Sequence, residues 1–254
     1  MNAHLVGLSR QMSLKREMDV IANNIANINT TGFKADTPLF EEYLMPGASA
    51  HHFAAQDRQV SYVQDRSTFI DQTQGAIQHT GSPLDVAIEG EGFFVVQTPR
   101  GERYTRNGAF QLDAQGQLVT SEGYVVQGEA GPIVFQTLDN SIMISKEGTI
   151  TVREGGDAIS VAIRGKLRLV RFDQIQQLRK DGGSTFSAPA GAIPDDVDQP
   201  NIVQGAIEKS NVRSVLAMTR MIEVSRTYSQ VSGILQNQHD QRRGAVDKLA
   251  EVPA

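Results

Sequence analysis

Apolar positions near the N-terminus keep a helical rhythm. Leu14, Met18, Ile21, Ile25 and Ile28 fall four and three apart, the period of one helix face. Leu5, Leu8 and Met12 form an earlier stripe, offset from the later one as in a helix that wraps or contacts more than one partner. The pattern predicts a helix from about Ala3 to Asn29, ~40 Å long at 1.5 Å per residue, with Asn2 as its N-cap. Gly7 inside it costs roughly 1 kcal/mol against Ala, so the helix needs packing to persist. Asn29-Thr30-Thr31-Gly32 reads as the stop, with Gly32 free to turn left-handed.

A second long helix is predicted between Asn211 and about Arg243, a stretch without Pro and with Gly233 as its one Gly. Ala217, Met221, Val224, Tyr228, Val231 and Leu235 step alternately four and three residues, a heptad seam. Val215, Met218 and Ile222 form a second stripe beside it. Two such helices cannot stay singly exposed in water; they pair with each other, with other subunits, or stay disordered until assembly.

Between the helices the rhythm changes. Over Asp36 to Gln72 periodicity fades, and Pro38, Pro46-Gly47-Ala48-Ser49-Ala50 and His51-His52 read as loop or extended chain, with Val60–Val63 and Ser67–Ile70 as short strands. From Ile77 onward short strands are broken by turn signals about every eight residues, the spacing of an antiparallel β domain: Glu89–Gly92, Pro99–Glu102, Asn107-Gly108, Asp113–Gly116 and Ser121–Gly123. Ile142–Val152 and Ile159–Phe172 add strands. In the latter, Lys166 to Phe172 alternates charge and apolar residues, predicting a half-exposed strand whose basic residues lie on a solvated face in preference to the alternative, an acidic neighbour. Lys180 to Pro200 reads as a polar loop, with Asp195, Asp196 and Asp198 in a turn. The fold class expected is α+β: long terminal helices, paired like a coiled coil, flanking a central, mostly antiparallel β domain. The segments are 1–34 (N-terminal helix), 35–76 (extended linker), 77–200 (β domain) and 201–254 (C-terminal helix).

Composition narrows the function. A net charge of −5 argues against a nucleic-acid surface, which needs clustered Lys and Arg. The absence of Cys excludes disulfides, thiol nucleophiles and thiolate metal sites. Adjacent His51 and His52 have no third ligand at a recognisable spacing, and the three aspartates lack a calcium-loop pattern. Gly90-x-Gly92 precedes a strand and lacks a Walker lysine, so it is a turn. His4, His51, His52, His79 and His239 sit in no nucleophile motif. A carboxylate pair for glycoside hydrolysis is recognised only in three dimensions, which leaves a hydrolase as the rival class. No apolar run approaches the ~20 residues that cross a bilayer, and the N-terminus lacks a secretory pattern. No cofactor or metal is expected.

The asparagines carry the sharpest signal. Asn is a mediocre helix former, yet Asn23, Asn24, Asn27 and Asn29 cluster at one helix end. Asn23 and Asn27 share a helical face beside the small Ala22 and Ala26, where another chain could approach closely. The string ANNIANINTTGFK (22–34) resembles the N-terminal signature of bacterial flagellar axial proteins, the rod, hook and hook-associated subunits. TGSPLDVAIEGEGFFVVQ (80–97) and RYTRNGAFQLDAQGQLVTSEGYVV (103–126) resemble the β region of that family, and QGAIEKSNVRSVLAMTRMIEVSRTYSQV (204–231) its C-terminal signature. Gly131–Val134, Gly165–Val170 and Gly182–Phe186 resemble the proximal-rod branch most, with the distal-rod branch next.

The resemblance implies a structural, non-enzymatic subunit that self-assembles into a tube and serves motility. Its partners would be copies of itself, other rod proteins and the flagellar type III export apparatus, without nucleic acid or membrane insertion. It would reside in the basal-body rod and be exported without a cleaved signal. The expected assembly interface comprises Leu14, Met18, Ile21, Asn23, Asn24, Ile25, Asn27 and Ile28 with Ala217, Met221, Val224, Tyr228, Val231 and Leu235, the helices forming an inner coiled-coil wall.

Overall fold

The computed structural model describes residues 2–46, 59–155, 161–182, 184–189 and 191–250. The chain divides into two compact units, each assembled from segments distant in sequence. One comprises Met1–Ala26, Asp36–Phe69 and Arg213–Ala254; the other Asn27–Ala35 and Ile70–Val212.

The first unit is built on two helices, α1 (Asn2–Ala26) and α2 (Ser214–Ala250). Leu14, Ile21 and Val224 are buried where they meet, and Met18, Ile25, Ala217, Met221, Tyr228 and Val231 pack around them. The helices run antiparallel: Gly7 lies against Leu235, and Glu17 pairs with Arg220 at 2.7 Å. A Cβ on Gly7 would sit 2.6 Å from Leu235 Cδ2. The residue that weakens the helix by propensity is the one that admits this close approach. Helix α1 stops three residues earlier than the apolar pattern predicts. Thr30 donates its N–H to the Asn27 carbonyl and its hydroxyl to Asn27 Oδ1, an Asn-centred turn that competes with the helix. Gly32 then takes φ +68°, as the stop signal requires.

Asp36–Pro46 and Gln59–Ile70 form strands β1 and β2, paired in a two-stranded sheet. The sequence predicts loop or extended chain with two short strands here, and the extended stretches are longer than that. In a two-stranded ribbon every strand is an edge, where the prolines of Asp36–Pro46 are tolerated. The His51-His52 pair lies outside the described residues.

The second unit is built mainly of β-strands, with a short 3-10 helix at Ile175–Gln177. Its central strand, Phe93–Thr98, pairs antiparallel with Gly101–Thr105, Val125–Gly128 and Leu169–Arg171. Both faces of this strand are covered. Phe94 and Val96 join Val86, Ile88, Phe110 and Leu118 in one core, while Phe93 and Val95 join Tyr104, Val170, Phe172 and Phe186 in another. A strand buried on both faces reads as a continuous apolar run, which is why Phe93–Val96 does not alternate. Edge-to-face rings fix each core, Phe94 on Phe110 at 5.1 Å and Phe93 on Phe186 at 5.5 Å.

The same double burial corrects the reading of Lys166–Phe172. The segment breaks between strands Val161–Lys166 and Leu169–Arg171. Leu167 and Leu169 enter one core, Val170 and Phe172 the other. Its basic residues do not lie on a merely solvated face: Lys166 meets Glu129 at 2.6 Å, and Arg168 meets Asp196 at 3.2 Å and Glu102 at 3.4 Å. Asp195 and Asp196 form a short strand against Arg171 and Val170 rather than a turn, and Arg179–Lys180 and Thr185–Ser187 are likewise strands within the supposed loop.

A three-stranded sheet, Asp139–Ile144, Thr149–Glu154 and Val161–Lys166, places Asp139 directly opposite Glu154. Arg164 bridges the two like charges, at 2.5 Å and 2.6 Å. Its hydrogen bond holds the Asp139 carboxyl below the ordinary value of 3.8. A depressed carboxyl contributes stability present above its unfolded value and lost as pH falls through the folded one. We expect the Asp139 carboxyl carbon to titrate below 3.8 by NMR and to return towards it in Arg164→Gln. An unshifted midpoint in the intact protein would show the bridge to be weak in solution.

Candidate assembly surface and its supporting clasp

Pairing of α1 with α2 leaves apolar residues on the outer faces. On α2, Val215, Met218 and Ile222 are 74%, 51% and 61% exposed, and on α1 Met12 is 65% exposed. The seam residues lie inward, with Leu14, Ile21 and Val224 no more than 7% exposed and Leu235 against Gly7. The signature asparagines separate. Asn23 is exposed on α1, while Asn24 is buried there. Asn24 Nδ2 donates to the Asp36 carbonyl at 2.7 Å and its Oδ1 accepts the Asp36 N–H at 2.9 Å. That side chain imitates a strand neighbour and fixes where β1 leaves. Asn27 and Ile28 lie just past the last residue of α1.

The end of the N-terminal signature is tied down by a buried ionic clasp that sequence reasoning missed. Lys34 Nζ meets Glu208 Oε1 at 2.6 Å and donates to the Thr73 carbonyl at 2.9 Å. Arg106 Nη1 reaches Glu208 Oε2 at 3.3 Å, and the Gly75 N–H donates to Oε1 at 2.9 Å. Lys34, Arg106 and Glu208 are 3%, 5% and 1% exposed. Burial lowers the Lys34 and Arg106 affinities for protons, and Glu208 opposes that in both. Buried cations persist only where a partner compensates their lost hydration.

Backbone contacts reinforce the clasp. The Gly32 N–H donates to the Glu208 carbonyl at 2.8 Å. Asn211 accepts the Ala35 N–H at 2.7 Å and donates to the Asp71 and Thr73 carbonyls, both at 3.0 Å. Lys180 Nζ lies 4.1 Å above the Phe33 ring, a cation–π contact. Gly32 has no room for a side chain: a Cβ would lie 2.4 Å from the Arg106 carbonyl carbon and the Asn107 nitrogen. With φ already positive, Gly32→Ala is expected to cost on the order of 3 kcal/mol. Chemical denaturation checks it; a loss below 1 kcal/mol would mean that the segment relaxes freely.

Three stretches of the chain match known families. Residues 5–34 match the family described as flagella basal body rod protein, and residues 87–152 the flagellar hook protein FlgE/F/G D1 domain. Residues 203–245 match the flagellar basal body rod FlgEFG protein C-terminal family. The flagellar basal-body rod protein FlgF of Caulobacter vibrioides is 39% identical over 253 residues, 99% of each chain. The chain belongs to the flagellar basal-body rod protein family. FlgF of Escherichia coli K12 is 35% identical over 87% of each chain. FlgG of Buchnera aphidicola is 34% identical over 83% of this chain and 85% of its own. Rod-family proteins are structural subunits rather than enzymes, which removes the hydrolase reading. The matched spans contain the three residues of the clasp's ion pairs, Lys34 in the first, Arg106 in the second and Glu208 in the third. The family signatures thus include the residues that form the clasp.

Proposed function

We propose that this chain is a structural subunit of the proximal part of the flagellar basal-body rod, self-assembling through its terminal helices and required for motility. The observation that carries the assembly reading is the stripe Val215, Met218 and Ile222, which stays exposed after α1 and α2 have paired. Apolar surface in a row along a helix is costly in water and is covered by another helix in a coiled-coil-like contact. A head-to-tail contact that does not close into a ring generates an open helical filament. The seam residues Leu14, Met18, Ile21, Ile25, Ala217, Met221, Val224, Tyr228, Val231 and Leu235 hold each subunit's helix pair in shape. Asn23, Asn27 and Ile28 complete the N-terminal contact region, while Asn24 supports it from inside the subunit by holding Asp36.

On this reading segments 1–34 and 201–254 are the rod-building parts, 35–76 a spacer and 77–200 the β body. The subunit leaves the cell through the flagellar type III export apparatus and joins other rod proteins and its own copies. The test is mass spectrometry of purified hook–basal bodies together with motility of a deletion strain. Presence in the rod fraction at a few copies, with loss of swimming, supports the proximal reading. Absence from basal bodies with swimming intact overturns it.

A further inference from the structure

A cleft of about 190 Å³ opens in the β unit beside the clasp, lined among others by Lys34, Arg106, Ile70, Phe93, Ile175 and Glu91. It is several times the ~30 Å³ share of one water molecule. Two cations, Lys34 and Arg106, face one buried carboxylate, Glu208. Both Glu208 oxygens are engaged, Oε1 by Lys34 and Gly75 and Oε2 by Arg106. The Arg106 side chain is 6% exposed, and its buried Nε–H has no acceptor among the described residues. A buried donor without a partner costs about 1–3 kcal/mol, more on a charged group. The guanidinium lies over the Phe93 ring at 5.3 Å and against Glu208, on the lining of the cleft. The apolar walls Ile70, Phe93 and Ile175 suit a short aliphatic stem carrying an acceptor. The exposed Glu91, whose charge acts on Arg106, stands at the lining as the competing negative charge.

We propose that this cleft is a carboxylate-binding site, taking an aliphatic acid such as a glutamate side chain onto Arg106. An entering carboxylate supplies the missing acceptor, and its stem covers the apolar wall. In an assembled rod the source is an acidic side chain of a neighbouring subunit, a clause that rests on the rod reading; free small carboxylates are the other source.

The experiment titrates the purified chain with propionate, the glutamate side chain without its backbone, at ionic strength matched with chloride. It follows the Arg106 Nε–H by NMR and the melting temperature. Expected are a saturable shift of that resonance and a rise in melting temperature that chloride does not reproduce. Arg106→Lys keeps the charge but removes Nε, and abolishes the shift in neighbouring resonances while the fold persists. Glu91→Gln, at an exposed position, tightens propionate several-fold and keeps the test decisive should the arginine variant unfold. No saturable response, or an Nε–H held by a long-lived water that propionate does not displace, overturns the proposal. A photo-cross-linker at the exposed Gln72, another lining residue, separates the sources in cells. Capture of another rod subunit beside an acidic residue assigns the site to assembly; propionate binding without capture assigns it to free acids. The titration needs no rod, so failure of the rod reading leaves it interpretable.

Discussion

Replacing Glu208 by Gln is expected to destabilise the β unit by about 3–5 kcal/mol, the range for breaking a buried ion pair from one side. The substitution keeps the shape and removes the charge that compensates Lys34 and Arg106, which are almost wholly buried. For a chain of this size that loss lowers the melting temperature on the order of 10 °C. The pH dependence is more telling than the magnitude. Burial already lowers the proton affinity of Lys34 and Glu208 opposes the shift, so without Glu208 the lowering deepens. The folded variant then binds fewer protons than the unfolded chain between its folded value and 10.5, and stability rises with pH across that window. The variant should regain part of its deficit as the pH is raised towards 10, until the general alkaline loss sets in. Denaturation midpoints at a series of pH values check this. A deficit under 1 kcal/mol that ignores pH would mean that water, not Glu208, compensates Lys34.

Val224→Asp is the second large effect, and it acts on the helix unit. Val224 is 2% exposed between α1 and α2. An ionised carboxylate there costs several kcal/mol, on top of the ~2 kcal/mol lost with the apolar contact. Antiparallel pairing should collapse, visible as lost helical circular dichroism and as fast amide exchange along both termini. Swimming should be abolished and the subunit missing from basal bodies. Val224→Ala, which leaves a small cavity, should cost about 2 kcal/mol and preserve swimming. Normal rods from the Asp variant would remove the helix seam from the account.

Much of this architecture is legible in the residues, and the part that is not has a physical reason. Leu14, Ile21 and Val224 announce themselves by periodicity because a helix face repeats every 3.6 residues. The turns of the β unit are legible because Asn-Gly and Asp-x-x-Gly strings have few other uses. The clasp has no such rhythm. Lys34 and Glu208 are separated by 174 positions, and nothing local distinguishes a buried lysine from a solvated one. The available signal was their occurrence inside strings that looked like family signatures, where Lys34 closes ANNIANINTTGFK and Glu208 sits in QGAIEKSNV. Asn24 was legible as unusual but not in its role, since a side chain that imitates a strand neighbour needs Asp36 in place. Lys166–Phe172 misled because alternation implies one buried face only where the other meets water, and here both sides have cores.

Assembly through the outer helix faces is tested most simply by Ile222→Asp. This residue is 61% exposed, so the subunit itself should keep its helical circular dichroism and its melting temperature. The measurement is the amount of the variant in purified hook–basal bodies relative to the unaltered chain. The account predicts a folded, exported subunit that is absent from the rod in cells that do not swim. Normal incorporation and normal swimming would contradict it, and would place the contacts between subunits elsewhere on the chain.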